Sequence, residues 1–177
     1  MSVPRPRRLR HGIAYAAFEF EEPVRAALHR GKFGGDRGAL EALGDITARR
    51  LDGERGRPRA SIPDAVVAVP LGSRRRRQRS YNQAEVVARV LANARRVPLL
   101  EGLRRLRETS AQSSRDEEAR RINVSGAFAW TGTPIDAAHL WLVDDVLTTG
   151  ATVEAASAVL SAAGASRIDV VVVAVVP

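Results

Sequence analysis

The sequence predicts an α/β fold: a doubly wound, parallel sheet flanked by helices, preceded by a small helical part. Two observations carry this expectation. From residue 63 onward, valine-rich apolar runs alternate with segments of helical periodicity, the pattern of strands covered on both faces by crossover helices. One of those runs, "HLWLV", ends in two adjacent aspartates, and a threonine and glycine turn leads at once into "ATVEAASAVLSAAG". In sheets of this kind ligands bind beyond the carboxyl ends of the strands.

Taken in order, "EEPVRAALHRG" places Pro23 near a first helical turn, Val24, Ala27 and Leu28 on one face, and Gly31 as a stop. After "KFGGDRG", the residues Leu40, Leu43, Thr47 and Leu51 recur at helical spacing, and "DGERGRPRASIPD" is a polar connector. Residues 1–62 are therefore read as an N-terminal helical part, and 63–177 as an α/β core, the two forming one compact domain. In the core, "AVVAVP" is a buried strand. The segment "NQAEVVARVLANA" is a helix opened by an Asn82 and Glu85 capping pair, with Val86, Val87, Val90, Leu91 and Ala94 on its inner face. "VPLL" is a short second strand, "HLWLVDD" a third, residues 151–164 a helix closed by Gly164, and "IDVVVVAVV" a last strand. Three loops leave strand ends: 71–81, 101–123 and 144–150.

Composition narrows the function classes. The chain has 177 residues, 45% of them hydrophobic, enough for one substantial core. It has no cysteine, which excludes disulfides and thiolate metal sites and suits a cytoplasmic protein. His11, His29 and His139 are the remaining nitrogen ligands, so no zinc is expected. No apolar run approaches the roughly 18 residues that span a bilayer, and the run "GIAYAAF" meets Glu19, Glu21 and Glu22 before it resembles a signal core. No membrane insertion is expected. The formal charge is +8, from 28 Lys and Arg against 20 Asp and Glu, which suits an anionic partner. Lys32 is the only lysine, and so general a use of arginine also fits a bias in base composition. Clustering of charge therefore matters more than its total.

The aspartate turn is one such cluster. Asp144 and Asp145 are two carboxylates whose side chains leave the strand on different sides, and together they can accept hydrogen bonds from a vicinal diol. Val146, Leu147, Thr148, Thr149, Gly150, Ala151 and Thr152 follow, offering hydroxyls and backbone N–H groups at a helix start, where the dipole favours a phosphate. Diol acceptors beside a phosphate cradle describe a ribose 5-phosphate site. An apolar strand ending in Asp-Asp also suits a metal-holding pair or a phospho-acceptor, and Thr-Thr-Gly also suits a plain helix cap.

The stretch "LWLVDDVLTTGAT" resembles the phosphoribosyl pyrophosphate (PRPP) motif of type I phosphoribosyltransferases. The resemblance implies that Asp144 and Asp145 hold the ribose 2- and 3-hydroxyls, while Leu147 to Thr152 wrap the 5-phosphate.

The loop "PLGSRRRRQRSYNQAE" carries Arg74, Arg75, Arg76, Arg77 and Arg79 directly after a buried strand. Charge runs are commonly solvated faces. Guanidinium groups here, with Leu71, Gly72 and Ser73, would instead suit a diphosphate through paired donors. The loop 101–123 is polar and longer than a simple connection requires, as lids and binding loops are. Ser114 and Glu117 make a capping box for a short helix over 115–122. These stretches resemble the competence protein F (ComF) family in "VAVPLGSRRRRQRSYNQAEVVARVLA", in "RRLRETSAQ" and "RRINVSGAF" with Arg105, Arg107, Thr109, Gln112, Asn123, Gly126 and Phe128, and in a "KFxGD" segment at Lys32, Phe33, Gly34, Gly35 and Asp36. The likeness covers about residues 18 to 176. It departs in two places: the family's four-cysteine zinc module has no counterpart here, and Ser113, Ser114 and Arg115 replace the family's usual apolar and glycine residues.

What the resemblance implies is a PRPP-binding protein that transfers or binds a ribose 5-phosphate group and releases diphosphate, with a link to DNA uptake. Asp144 and Asp145 would orient the ribose, the arginines of 74–79 with Mg²⁺ carried on PRPP would stabilise the leaving group, and Arg105 and Arg107 would ride on a closing loop. The acceptor would be chosen by residues 1–62, acting as a hood, whose visible cues are Tyr15, Phe18, Phe20 and Phe33. These aromatics are read first as core. The alternative is a non-catalytic, nucleotide-responsive or single-stranded-DNA-binding protein, whose partners would be DNA or DNA-uptake proteins. Tyr81 is the one aromatic in the arginine loop, where single-strand binders normally offer stacking platforms.

Overall fold

The computed structural model describes residues 3–53, 60–72, 79–107, 126–136 and 139–177. Its elements in chain order are β1 (Arg7–Arg8), β2 (Ile13–Glu19), α1 (Val24–Phe33), α2 (Arg37–Leu51), β3 (Ala65–Ala68), α3 (Gln83–Arg95), β4 (Leu99–Leu100), β5 (Leu103–Arg105), β6 (Phe128–Trp130), β7 (His139–Leu147), α4 (Ala151–Ala162) and β8 (Arg167–Val175). Six strands form one sheet in the order β1-β2-β8-β7-β3-β4, while β5 and β6 pair separately. Every pairing in the large sheet is parallel except that of β1 with β2.

The two longest strands lie at the centre because they are the most apolar. Leu140, Trp141, Leu142 and Val143 of β7 and Val170 to Ala174 of β8 have no exposed surface, as strands covered on both faces must. One face packs Trp141, Val143, Val171 and Val173 against Leu28 of α1, Leu40 and Leu43 of α2, and Val87 and Leu91 of α3. The other packs Leu140, Leu142, Val170 and Val172 against Val153, Ala156 and Leu160 of α4 and against Leu103 and Phe128 of the small sheet. Among the described residues no helix is long and apolar enough to cross a membrane.

The parallel sheet and its flanking helices agree with the sequence. The N-terminal part differs: it carries β1 and β2 as well as two helices, and β2 pairs with β8 from Ala14↔Val170 to Glu19↔Val175. Its alanine content and lack of polar alternation hide it, since "IAYAAFE" buries Ala14, Tyr15, Ala17 and Phe18 toward both faces. The strand forms because the valine-rich β8 needs a neighbour. Helix α1 also runs past Gly31 to Phe33. A Cβ at Gly31 would lie 2.6 Å from Leu40 Cγ, so this glycine serves the close approach of α2 and not a helix stop. In α3 only half of the capping pair forms: the Asn82 carboxamide accepts from the Ala84 N–H, while Glu85 pairs with Arg89. Ala94 is exposed, and Ala88 and Ala92 are buried in its place.

At the amino ends of the central strands, the fully buried Asp169 carboxylate accepts from the Ile13 N–H and from Arg167, and lies 3.0 Å from His139 Nε2. Burial pushes this carboxyl up, but these hydrogen bonds and the Arg167 charge outweigh it and hold it below the usual range. The network ties β2, β7 and β8 together at the end of the sheet opposite the aspartate turn.

Candidate functional site

Strand β7 does not stop at the aspartates. It stays paired with β8 to Leu147↔Val175, which places Asp144 and Asp145 inside the carboxyl half of a strand and not at its tip. The apolar cluster that precedes them fixes their directions. Trp141 and Val143 face α1, α2 and α3, and Leu140 and Leu142 face α4 and the small sheet. Asp145, in the phase of the first pair, meets α1: its Oδ2 accepts from Lys32 Nζ at 2.7 Å, with both side chains largely buried. Asp144, in the other phase, accepts from the Asp145 N–H through Oδ1 at 2.8 Å.

The two carboxylates are electrostatically unequal. Burial, and then repulsion from Asp145, pushes the Asp144 carboxyl up to about 7, against the opposing pull of the Asp145 N–H, Lys32 and Arg105. Near neutral pH the pair therefore carries less than two negative charges. It can both accept and donate hydrogen bonds.

Beyond Val146 and the buried Leu147, Thr148 and Thr149 are exposed and Gly150 is buried. Gly150 caps α4 in the left-handed conformation, with φ of +89°, and no side chain caps the helix. Its first N–H groups, from Ala151 and Thr152 onward, are thus left for an anion on the same edge of the sheet as the acid pair.

The third wall comes from the loop after β3. Leu71 and the buried Gly72 follow Val69 and Pro70 at the end of that strand, and Asn82 Nδ2 closes the loop by donating to the Val69 carbonyl. Ser73, Arg74, Arg75, Arg76 and Arg77 lie outside the described residues. Arg79 donates to Gln83 Oε1 and stacks over the Phe33 ring at 5.0 Å, and the Tyr81 hydroxyl donates to the Gly31 carbonyl at 2.7 Å. The loop is thereby fastened to the last turn of α1.

The polar segment read as a loop over 101–123 begins on β5, which pairs antiparallel with β6. Two adjacent arginines in "LRR" concealed this strand. Arg105 stands over the Phe128 ring at 5.4 Å, its charge acting on Asp144. Arg107 is exposed, and its carbonyl accepts from Arg105 Nε. Thr109, Gln112, Asn123, the capping box of Ser114 and Glu117, and the helix expected over 115–122 lie outside the described residues.

Of the four aromatics considered for the acceptor, Tyr15 and Phe18 are buried, Phe20 is half-buried, and Phe33 is 67% exposed. Sequence reasoning named Lys32 only as the lone lysine and within the "KFxGD" resemblance; its contact with Asp145 and the tie from Tyr81 escaped, because no local pattern marks a contact between α1 and a strand more than a hundred residues away.

No protein-family model matches the chain. It is homologous to DNA utilization protein YhgH of Escherichia coli O157:H7, 28% identical over 153 residues, which cover 86% of this chain and 67% of that one. Competence protein F of Haemophilus influenzae is 33% identical over 112 residues, 62% of this chain and 49% of that protein. The chain thus spans about two thirds of the first relative and half of the second. Among solved structures, the glutamine PRPP amidotransferase of B. subtilis, complexed with ADP and GMP, aligns with a TM-score of 0.51 at 21% identity, over 77% of this chain and 26% of that one. The fold is that of the type I phosphoribosyltransferases.

Proposed function

We propose that the chain binds PRPP and transfers its ribose 5-phosphate group, with release of diphosphate. The observation that carries this reading is the adjacency of an acid pair and a helix start without a side-chain cap, at the carboxyl edge of one parallel sheet. Asp144 and Asp145 take the ribose 2- and 3-hydroxyls. Thr148 to Thr152 take the 5-phosphate through backbone N–H groups and hydroxyls, with Val146 and Leu147 as the supporting strand end. Leu71 and Gly72 lead into the arginine loop, where Ser73, Arg74, Arg75 and Arg77 take the diphosphate.

Breaking the bond between ribose C1 and diphosphate leaves positive charge on the ring and negative charge on the leaving group. The acid pair orients the ring and offsets its charge, and the arginines meet the departing oxygens. Arg105 and Arg107, at the root of the segment 108–125, are placed to shield this bond from water. Among the described residues no three His, Asp or Glu side chains converge. In this reading magnesium arrives chelated by the diphosphate. The acceptor is a nitrogen nucleophile selected by the N-terminal part, as the family resemblance implies.

Calorimetric titration with PRPP, with and without magnesium, tests the assignment. Wild type is expected to bind, and Asp144→Asn combined with Asp145→Asn to lose at least tenfold in affinity while remaining folded. Equal affinity in the double variant refutes the site.

A second reading is favoured by the names of the relatives, which point to DNA utilization and competence. The arginine run would then follow the phosphates of a single strand. DNA affinity falling steeply with salt, with no PRPP binding, is the outcome that selects it.

A further inference from the structure

We propose that Lys32 is a positioning residue for the acid pair: it holds the Asp145 carboxylate in place, so that the N-terminal part completes the ligand site instead of merely covering it. This rests on the reading of the pair as a ribose site for its ligand, but not for its physical content.

Four observations converge. Lys32 is the chain's only lysine, among side chains that are otherwise arginine wherever a cation is needed. Its Nζ lies 2.7 Å from Asp145 Oδ2, with 21% and 14% of the two side chains exposed, whereas the described Arg25, Arg30, Arg37 and Arg89 pairs are with carboxylates about half exposed. Removing one partner of a pair this sheltered leaves the other charge uncompensated, which costs more than breaking a surface pair. The turn that carries Lys32 is itself immobilised from both sides, by the Tyr81 hydroxyl on the Gly31 carbonyl and by Arg79 on the Phe33 ring. Finally, the adjacent Asp144 has a second cation, Arg105, acting from the other face of the sheet.

Among the described residues, Lys32 from α1, Arg105 from β5 and Asp145 itself act electrostatically on Asp144, and Lys32 pairs with Asp145. The ammonium of Lys32 is a compact point charge that meets a single oxygen of Asp145, and the charge, which a guanidinium would also supply, is what acts on the pair. With Lys32 in place the Asp145 carboxylate is aimed by the ion pair, and the acid pair keeps one oriented acceptor. Without it, two adjacent carboxylates share a sheltered site, and their titration must move upward.

The test uses the full chain. Because there is one lysine, selective ¹⁵N-lysine labelling gives a single Nζ resonance; it is expected to be protected from exchange, and to lose that protection in Asp145→Asn. ¹³C-carboxyl aspartate labelling then follows the pair in wild type, Lys32→Met and Lys32→Arg. Lys32→Met is expected to raise the midpoint of the pair by about one pH unit or more, to weaken PRPP about tenfold at pH 7.5, and to shift the acidic limb of the binding profile upward equally. Lys32→Arg should recover most of both effects. An Nζ resonance with the exchange of a free lysine, or a midpoint unmoved in Lys32→Met, overturns the proposal. If the midpoint moves but wild type binds no PRPP, the ligand reading falls and the role of Lys32 toward the pair stands.

Discussion

Asp144 sets a tension between stability and ligand capture at one residue. A carboxyl whose folded value is raised toward 7 stabilises the fold when protonated. That contribution is complete below the unfolded value near 4 and is lost as pH rises through the folded value. The ligand-free protein is therefore expected to lose stability between about pH 4 and pH 7. Asp144→Asn keeps an oxygen for the Asp145 N–H and removes the charge, so it should raise stability at pH 8 by about 1–2 kcal/mol, a figure reduced from the full shift because Asp144 is only partly buried by area. The same change should have a smaller effect at pH 5 and almost none below about pH 4, where both states are protonated. Thermal melts across this range check the sign, and a variant less stable than wild type at pH 8 would show that Asp144 is held ionised. The adjacency of the two aspartates was legible in the sequence. The raised Asp144 carboxyl was not, since it arises from burial, which only packing decides, and from repulsion by Asp145, against the opposing charges of Lys32 and Arg105.

At the scale of elements, the start of α4 is the sharpest case of sequence and structure agreeing. "DDVLTTGAT" announced a strand, a turn and a helix, and Gly150 occupies the turn with φ of +89°. A Cβ there would meet nothing nearer than Leu147 Cδ1 at 3.9 Å, so Gly150→Ala costs backbone strain and not a clash. A loss of about 1–2 kcal/mol in stability is expected, together with weaker PRPP binding as the N–H groups turn away. Denaturant melts and titration of the variant measure the two effects. Wild-type values for both would mean that the left-handed start is not required. The elements that sequence reading missed share one cause. Strand β2 is rich in alanine and β5 in arginine, and each is a strand only because a partner distant in sequence, β8 or β6, supplies the other half of its hydrogen bonds.

The whole molecule is held by a sheet that crosses the boundary expected at residue 62. Strand β2 covers one edge of β8 along five paired positions, from Ala14↔Val170 to Glu19↔Val175, and α1 and α2 cover the face that bears Trp141, Val171 and Val173. Removal of residues 1–20 would uncover the edge of a strand whose central residues are fully buried, an invitation to pair with another chain. The truncated protein is expected to aggregate or to lose cooperative unfolding, checked by size-exclusion chromatography and thermal melts. A monomeric, cooperatively melting truncation would show that residues 21–177 suffice for the sheet.

The sequence by itself determined the alternation of strands and helices, the apolar identity of β7 and β8, and the place of the acid pair and the threonine turn. These follow from periodicity and turn chemistry over fewer than about twenty neighbouring residues. Tertiary structure alone decided that the N-terminal part enters the sheet, that Lys32 meets Asp145, and that the arginine loop is tied to α1 by Tyr81 and Arg79. Those contacts join segments far apart along the chain. Only the packing of α1 against the central strands brings their charges within reach.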